Sequence, residues 1–170
     1  KSEDIKIEKI CKRLNISCYL VSNEDVVDRF YKVMQKFNAE NVVRITADCP
    51  LIDPKIIDKV IREYFLRKVS YATNTMPATY PDGLDVEVFS LKALHKAWIA
   101  SRKDKKLREH VTTYIRKNKE LKKYNLLLKK NFSFLRLTLD EPEDLKVINF
   151  VLSKFPKNYM FYLKDIIKIY

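Results

Sequence analysis

The stretch VRITADCPLIDP at residues 43–54 decides the fold, because it combines a strand, a polar turn and the start of a helix. Apolar β-branched residues predict a strand over 41–46. Asp53 followed by Pro54 is a strong helix start, with an N-cap residue and then proline at the first helical position. Strands that alternate with helices in this way are typical of an α/β domain.

Working outward from this stretch, hydrophobic spacing predicts the other elements of the chain. The predicted strands are 17–21, 41–46, 70–73, 84–89, 126–128 and 134–139. The predicted helices are 4–14, 25–37, one from Pro54 onward, 90–100, 106–118, one opened by Asp140, and a last short one that holds Leu163, Ile166 and Ile167. We therefore predict one α/β domain over 1–170, with a mostly parallel sheet flanked by helices.

Composition excludes several classes of protein. The chain has 170 residues, of which 46% are hydrophobic, so it can bury a core and is not disordered. No apolar run approaches the roughly 18–20 residues of a membrane span, and no signal peptide is recognisable. Three cysteines without CxxC spacing and only two histidines argue against a zinc site. We expect a cytoplasmic protein with reduced thiols.

Glycine is almost absent, since Gly83 is the single one in the sequence. A Walker loop and a GxGxxG loop each need several glycines, so neither exists in these residues. If the protein handles a nucleotide, we expect the phosphate loop to lie outside this chain. The first residue, Lys1, is not a methionine, and we interpret it as something other than a translation start.

The net charge of +12 has two interpretations. Between Ser101 and Lys130 there are twelve Lys and Arg residues against three acidic ones, which favours a nucleic-acid surface or a solvated, lysine-rich helical face. We favour the solvated face, because most of the basic residues are Lys and the segment lacks the interleaved aromatics of a strand-binding platform.

Three polar residues follow predicted strands: Asp48, Asn74 and Asp140. In parallel sheets ligands bind at the carboxyl ends of strands, so these residues are candidates for a site. Carboxylates from two strands suit Mg²⁺, which takes further ligands from substrate phosphates. Asp140 is also a suitable N-cap for the following helix, and Asp48 a suitable turn residue.

Five stretches carry a family resemblance, and they come in the family's order over essentially the whole chain. They are EDVVDRFY (24–31), VRITADCPLIDP (43–54), TYPDGLDVEVFS (79–90), REHVT (108–112) and LRLTLDEPEDL (135–145). In these stretches the chain resembles the spore-coat-polysaccharide-type cytidylyltransferases, which are relatives of the CMP-acylneuraminate and CMP-KDO synthetases. The second and third stretches are the most specific.

The resemblance implies a Rossmann-like nucleotide-diphospho-sugar transferase fold. The implied activity is transfer of CMP from CTP to a sugar for cell-surface polysaccharide synthesis, with Mg²⁺ and release of pyrophosphate. Asp48 and Asp140 would be the catalytic, metal-binding residues. The residues near the nucleotide would be Asp28, Arg29 and Arg44. The residues on the sugar side would be Asn74, Asp82, Gly83, Asp85, Glu87, Glu109 and His110, with the last two alternatively in a homodimer contact.

The residues themselves allow these roles and also others. Gly83 permits a turn with positive φ that lays Asp82 and Asp85 against a polyhydroxyl substrate. Glu87 is alternatively a solvent-facing strand residue. His110 is a substrate donor or general base, or else a helix residue bonded to backbone, and we favour the last.

The chain departs from the family in three places. The family's first strand and its basic, glycine-containing loop have no counterpart, Leu20-Val21 stands where an Arg-Gly pair is usual, and Ala78 replaces a basic residue. We therefore expect an N-terminally incomplete domain that is inactive by itself, with CTP and a sugar as partners of the whole enzyme and no membrane. The alternatives are an inactive sugar-nucleotide-binding or assembly module and, less favoured, a nucleic-acid-binding protein.

Overall fold

A computed structural model describes residues 2–19 and 25–170, with backbone only for 2–4. Its helices are α1 (Ser2–Arg13), α2 (Val26–Lys36), α3 (Pro54–Leu66), α4 (Leu91–Ala100), α5 (Lys105–Glu109), α6 (Thr113–Lys117), α7 (Pro142–Ser153) and α8 (Leu163–Ile169). Its strands are β1 (Asn41–Arg44), β2 (Tyr71–Thr73), β3 (Glu87–Ser90) and β4 (Lys123–Asn125). Within the described ranges, no helix has the length and apolar character needed to cross a membrane.

The described strands form one sheet in the order β1-β3-β2-β4. Strand β3 pairs antiparallel with both β1 and β2, whereas β2 and β4 are parallel. Three strands therefore share one direction, and the predicted α/β class with its flanking helices is confirmed. Strand β3 reverses because segment 74–86 contains no helix, and parallel neighbours are usually joined by a helical crossover.

Two hydrophobic clusters cover the two faces of the sheet. Successive strand residues point to opposite faces, so Tyr71 and Ala72 belong to different clusters. Helices α3, α7 and α8 pack on the face of Ala72 and Val88. Helices α2, α4 and α6 pack on the face of Tyr71 and Phe89. The domain is thus a sheet between two helical layers.

Side-chain caps start the helices where the sequence predicted them. Asp25 accepts the Asp28 amide at 2.9 Å, and Asp53 accepts the Lys55 amide at 2.7 Å. Ser90 caps α4 in the same manner. These caps satisfy amide groups that have no partner inside the helix, which explains why local sequence was sufficient to locate them.

Four predicted elements differ in the structure. Residues 17–19 form no strand, and Leu20 and Val21 lie outside the described residues. The helix predicted over 106–118 is two helices, because Val111 and Thr112 between them are buried. Strand β4 ends before the predicted 126–128. Segment 134–139 forms no strand and has one parallel bridge, Asp82 to Arg136.

Gly83 allows this bridge to form. It has φ +93°, and a Cβ placed on it would lie 2.5 Å from the carbonyl carbon of Leu137. The Asp82 amide donates to the Leu135 carbonyl at 3.0 Å, and the Leu137 amide donates to the Asp82 carbonyl at 2.8 Å. The predicted positive φ is confirmed, and the close approach of two backbones gives a second reason for glycine.

Candidate active site

The candidate site lies at the sheet edge where β1 and β2 end and β3 begins. Arg44, the last residue of β1, is the register partner of Glu87, which also pairs with Thr73 at the end of β2. Because β3 is antiparallel, its first residue stands at the carboxyl ends of its neighbours. Side chains from these strands therefore converge at one edge, as expected for a ligand site in an α/β sheet.

The backbone joins the segments of Asp48 and Asp140 at this edge. The Asp48 carbonyl accepts the Leu139 amide at 2.8 Å and lies 3.2 Å from the Thr138 hydroxyl. That hydroxyl is also 3.4 Å from a carboxylate oxygen of Asp140. The two residues thus belong to neighbouring segments, and their sharing of a metal ion stays a prediction.

Asp48 lies in an environment that favours its charged form. A hydrogen bond from Thr46 lowers the pKa of the Asp48 carboxyl, partial burial opposes this effect, and the charge of Arg44 adds to it. The thiol of buried Cys49 lies 3.7 Å from Asp48 Oδ1 and 3.1 Å from the Thr46 hydroxyl. These contacts hold the turn that follows β1.

Asp140 is held by Arg136 and does not cap the next helix. Arg136 binds Asp140 at 2.9 Å, both carboxylate oxygens of Asp144 at 2.8 Å, and Asp82 at 3.2 Å. The N-cap of α7 is Glu141, and Asp144 accepts the amides of Asp140 and Glu141 at 2.9 Å. The alternative of Asp140 as N-cap is therefore wrong. Pro142 at the first helical position moves the cap one residue later.

The guanidinium of Arg136 also affects Asp144. Hydrogen bonds from Arg136 and from the two backbone amides lower the pKa of the Asp144 carboxyl well below its usual range. Asp144 therefore stays ionised and links Arg136 to the first turn of α7. This arrangement positions Asp140 beside the edge of the sheet.

A small polar cavity of about 80 Å³ opens at the same edge. Its lining residues are Arg44, Thr46, Thr75, Asp85, Glu87 and Arg116. Burial, together with the charges of Asp82 and Glu87 and against the charge of Arg116, raises the pKa of Asp85 to about 6. Asp48 is among the charges that raise it, which indicates that the Asp48 turn and this cavity are neighbours.

Glu87 is buried and fully engaged, so the interpretation as a solvent-facing residue is wrong. One carboxylate oxygen accepts the Tyr71 hydroxyl at 2.5 Å and the Thr112 hydroxyl at 2.6 Å. The other accepts Arg44 at 2.6 Å. Antiparallel pairing on both sides places β3 inside the sheet, which explains the burial. Glu87 therefore fixes the guanidinium of Arg44 at the cavity.

Asn74 supports the loop that carries Asp85. Its amide nitrogen donates to the Leu84 carbonyl at 2.8 Å, and its oxygen accepts the Val86 amide at 2.9 Å. These bonds bracket Asp85 on both sides. Asn74 is buried, and the geometry gives it a supporting position, whereas its direct contact with a sugar stays a prediction.

The structure does not place Asp28 and Arg29 in this cavity. They lie on α2, where Asp28 accepts Trp98 Nε1 at 2.8 Å and the Lys32 ammonium at 2.6 Å. Partial burial acts to raise the pKa of Asp28, but the hydrogen bonds from Lys32 and Trp98 outweigh it and the pKa is lowered. Asp28 thus joins α2 to α4, and the predicted nucleotide contacts of this pair remain untested.

In the REHVT stretch, the outer residues make the contacts. Arg108 binds Asp25 and the Trp98 carbonyl, and Thr112 binds Glu87. Glu109 and His110 are exposed at the end of α5. Neither of them lines the polar cavity, and their predicted contacts with the sugar or a homodimer partner stay predictions.

Among the residues that line the cavity or bind Glu87, sequence reasoning missed five: Thr46, Tyr71, Thr75, Thr112 and Arg116. Thr112 was within a quoted stretch, and Arg116 follows it by one helical turn, so the spacing i, i+4 was an available signal. Arg116 was instead grouped with the basic segment. Part of that segment's charge is used internally, since Lys122 and Lys123 donate to backbone carbonyls.

The donor set of this edge fits Mg²⁺. Among the side chains that the structure describes, no three or more His, Cys, Asp or Glu residues are grouped to hold a metal ion. Mg²⁺ is usually held by one or two carboxylates together with substrate phosphates and water, and not by a protein cage. Asp48 and Asp140, on neighbouring segments, are residues of that kind.

A mixed sheet between two helical layers, with charged side chains at the carboxyl ends of its strands, defines a Rossmann-like α/β domain of the nucleotidyltransferase type. The chain belongs to the cytidylyltransferase family, whose profile matches residues 2–153. Helix α8 lies beyond the matched residues.

Two curated relatives are similar to this chain. It is 37% identical over 150 residues to an uncharacterised protein of Methanocaldococcus jannaschii, a match that covers 86% of this chain and 60% of the relative. It is 29% identical over 157 residues to the spore coat polysaccharide biosynthesis protein SpsF of Bacillus subtilis, covering 91% of this chain and 64% of that protein. The chain thus spans less than two thirds of either relative.

Two solved structures share the fold. A cytidylyltransferase from Leptospira borgpetersenii superposes with a TM-score of 0.92 at 30% identity, covering 98% of this chain and 70% of that one. The molybdopterin-guanine dinucleotide biosynthesis protein A from Archaeoglobus fulgidus has a TM-score of 0.61 at 15% identity, covering 89% and 76%. The second likeness concerns the fold alone.

Proposed function

We propose that the protein transfers the cytidylyl group of CTP to a sugar hydroxyl, releases pyrophosphate, and so supplies a CMP-sugar for cell-surface polysaccharide synthesis in the cytoplasm. The observation that carries the proposal is the edge where the Asp48 and Asp140 segments are hydrogen-bonded beside the Arg44–Asp85 cavity. Membership of the cytidylyltransferase family supports the reaction. The relative named for spore coat polysaccharide biosynthesis supports the pathway class.

The residues of this edge match the needs of phosphoryl transfer. The sugar oxygen attacks the α-phosphorus, the bond to pyrophosphate breaks, and the sugar proton passes to a base. Such a reaction needs mainly positioning and neutralisation of negative charge. Arg44, fixed by Glu87, and Arg116 supply positive charge in the cavity.

Asp48 and Asp140 would hold Mg²⁺, which supplies charge neutralisation at phosphate oxygens when it is bound. Asp85, bracketed by the Asn74 bonds, is the residue that we assign as base for the sugar proton. Its pKa of about 6 suits proton transfer near neutral pH, because a base works best with a pKa close to the operating pH.

The test of this function is pyrophosphate release by the full-length protein with CTP, Mg²⁺ and a panel of acidic and deoxy sugars. We expect release with CTP, and much less with ATP, GTP or UTP. Asp48→Asn should reduce turnover by at least about 100-fold, because it removes a charged group that acts on developing negative charge. The thermal midpoint should stay close to that of the wild type.

Asp58→Asn is the matched control, since Asp58 is an exposed aspartate on α3. It should keep wild-type turnover. Asp53 is unsuitable as this control, because its buried carboxylate accepts the amides of Lys55 and Leu163. Near-normal turnover of Asp48→Asn at saturating Mg²⁺ would rule out the assigned role.

Asp85 gives the proposal a pH signature. The carboxylate is the base, so its active form increases as pH rises through the pKa of about 6. We expect turnover to rise over that range, and Asp85→Asn to lower turnover by about 10²–10⁴-fold and to abolish this limb of the profile. A variant that kept the limb would show that another group titrates.

A further inference from the structure

A second cavity, of about 230 Å³, lies between α3 and α8, and Asp53 is among its lining residues. It shares no lining residue with the polar cavity at the sheet edge. We propose that it binds a small organic anion, a carboxylate or phosphate monoester that carries an apolar ring or short chain. This site is additional to the proposed cytidylyl transfer.

The inner wall of the cavity is apolar. It is formed by the buried side chains of Ile56 and Leu163, the half-buried Leu128 and Ile167, and the Tyr162 ring. A cavity of roughly 150 Å³ with an aliphatic lining accommodates benzene. The volume here therefore admits a ring or short chain and leaves room for an attached polar group.

Tyr80 supplies a polar group without a partner. It is 4% exposed and lines the cavity, and no hydrogen bond to its hydroxyl is found in the described part of the chain. The hydroxyl oxygen is not among the described side-chain atoms that are both sealed from solvent and unpartnered, so it keeps access to solvent. Burial, together with Tyr124 and Asp53, raises the pKa of Tyr80, which keeps the hydroxyl protonated. It is therefore a donor from which a ligand in the cavity can accept a hydrogen bond.

The charges around the cavity select an anion. Lys55, Lys59 and Lys164 are exposed residues of its lining, and the Lys55 ammonium lies 3.8 Å from the centre of the Tyr162 ring. Among the described lining residues, Asp53 alone carries a carboxylate. Its two oxygens accept the Lys55 and Leu163 amides at 2.7 and 2.8 Å, so they are engaged in the fold. Three ammonium groups against one engaged carboxylate favour a negative ligand.

The test is calorimetric titration of the full-length protein, without CTP, with four probes. Phenyl phosphate and benzoate carry both an anion and a ring, benzyl alcohol lacks the charge, and inorganic phosphate lacks the ring. We expect at least one of the two anionic ring compounds to bind, about tenfold or more tightly than benzyl alcohol and inorganic phosphate. The stronger of the two identifies the head group.

Two variants locate the binding. Tyr80→Phe keeps the ring and removes the hydroxyl, and Lys59→Met keeps most of the side-chain length and removes the charge. Each should weaken binding by about fivefold to tenfold. Lys146→Met, at an exposed lysine of α7, is the matched control and should leave affinity unchanged.

Three results would overturn the proposal: absence of binding by both anionic ring compounds, equal binding of benzyl alcohol, or unchanged affinity in both cavity variants. None of them depends on nucleotide turnover. Failure of this site is therefore distinguishable from failure of the proposed reaction.

Discussion

Two regions of the molecule contribute an aspartate to the candidate site, and they reach their structures by different routes. Residues 41–54 form a strand, a turn and a capped helix start, each supported by neighbours in the sequence. In residues 134–145, the part 134–139 alternates like a strand, yet it forms one bridge, and Arg136 holds Asp140 and Asp144 at the start of α7. The first region is specified locally, whereas the second depends on what packs beside it.

The comparison also explains why alternation is a weaker signal than a cap. A cap satisfies backbone amides within three residues, so its partner is always present. A strand needs a neighbour with free backbone groups along its length. Segment 134–139 has two separate backbone neighbours, Asp82 beside Arg136 and Asp48 beside Leu139, and neither continues along its length as a strand would.

The largest expected loss of stability is at the contact between Gly83 and the backbone of Leu137 in the second region. Gly83→Ala should cost about 3 kcal/mol or more of unfolding free energy, because the new Cβ meets the Leu137 backbone at 2.5 Å and the residue has φ +93°. Denaturant unfolding measures this cost. The control is Asn38→Ala, at an exposed position with φ +48°, which should cost about 1 kcal/mol. Equal costs at the two positions would mean that conformation alone, and not the backbone contact, requires glycine.

The next largest expected loss of stability is at Asp53, in the locally specified region 41–54. Asp53→Asn should cost about 1–3 kcal/mol, because both buried carboxylate oxygens accept backbone amides and an amide group would oppose one donor with another. Denaturant unfolding of this variant beside Asp58→Asn, which should change stability by less than about 0.5 kcal/mol, isolates the caps. A small loss at Asp53 would show that the link from α3 to α8 is not needed.

The smallest expected effect is a difference in thermal midpoint between variants of two aspartates of the second region. Asp144→Asn should lower the thermal midpoint more than Asp140→Asn does, because Asp144 accepts two backbone amides and two bonds from Arg136. Asp140 accepts one bond from the same arginine. The reverse order would restore Asp140 as the residue that starts α7.

Much of the fold was predictable from local patterns. Helical spacing located α2, α3, α4 and α8, and the cap at Asp53 located the start of α3. The α/β class followed from the alternation of strands and helices. The division of 106–118 into two helices was not predictable, because it follows from the burial of Val111 and from the bond of Thr112 to Glu87.

The candidate site was predictable in its acids and not in its partners. Asp48 and Asp140 were both chosen by the rule that ligands bind at the carboxyl ends of strands; the structure places their segments side by side, although segment 134–139 before Asp140 forms no strand. Glu87 was predicted on the sugar side or, alternatively, facing solvent, because the strand alternates polar and apolar residues. That pattern does not report that β3 has a strand on each side, which encloses its first residue.

The sequence by itself determined where α2, α3 and α4 begin and which side chains share a face, because each of these depends on bonds or spacing within a few residues. The tertiary structure decided the direction of β3, the cap of α7, and the group that surrounds Glu87. These features join residues that are distant in the chain, and the spacing of residues along one segment carries no information about which other segment will lie beside it.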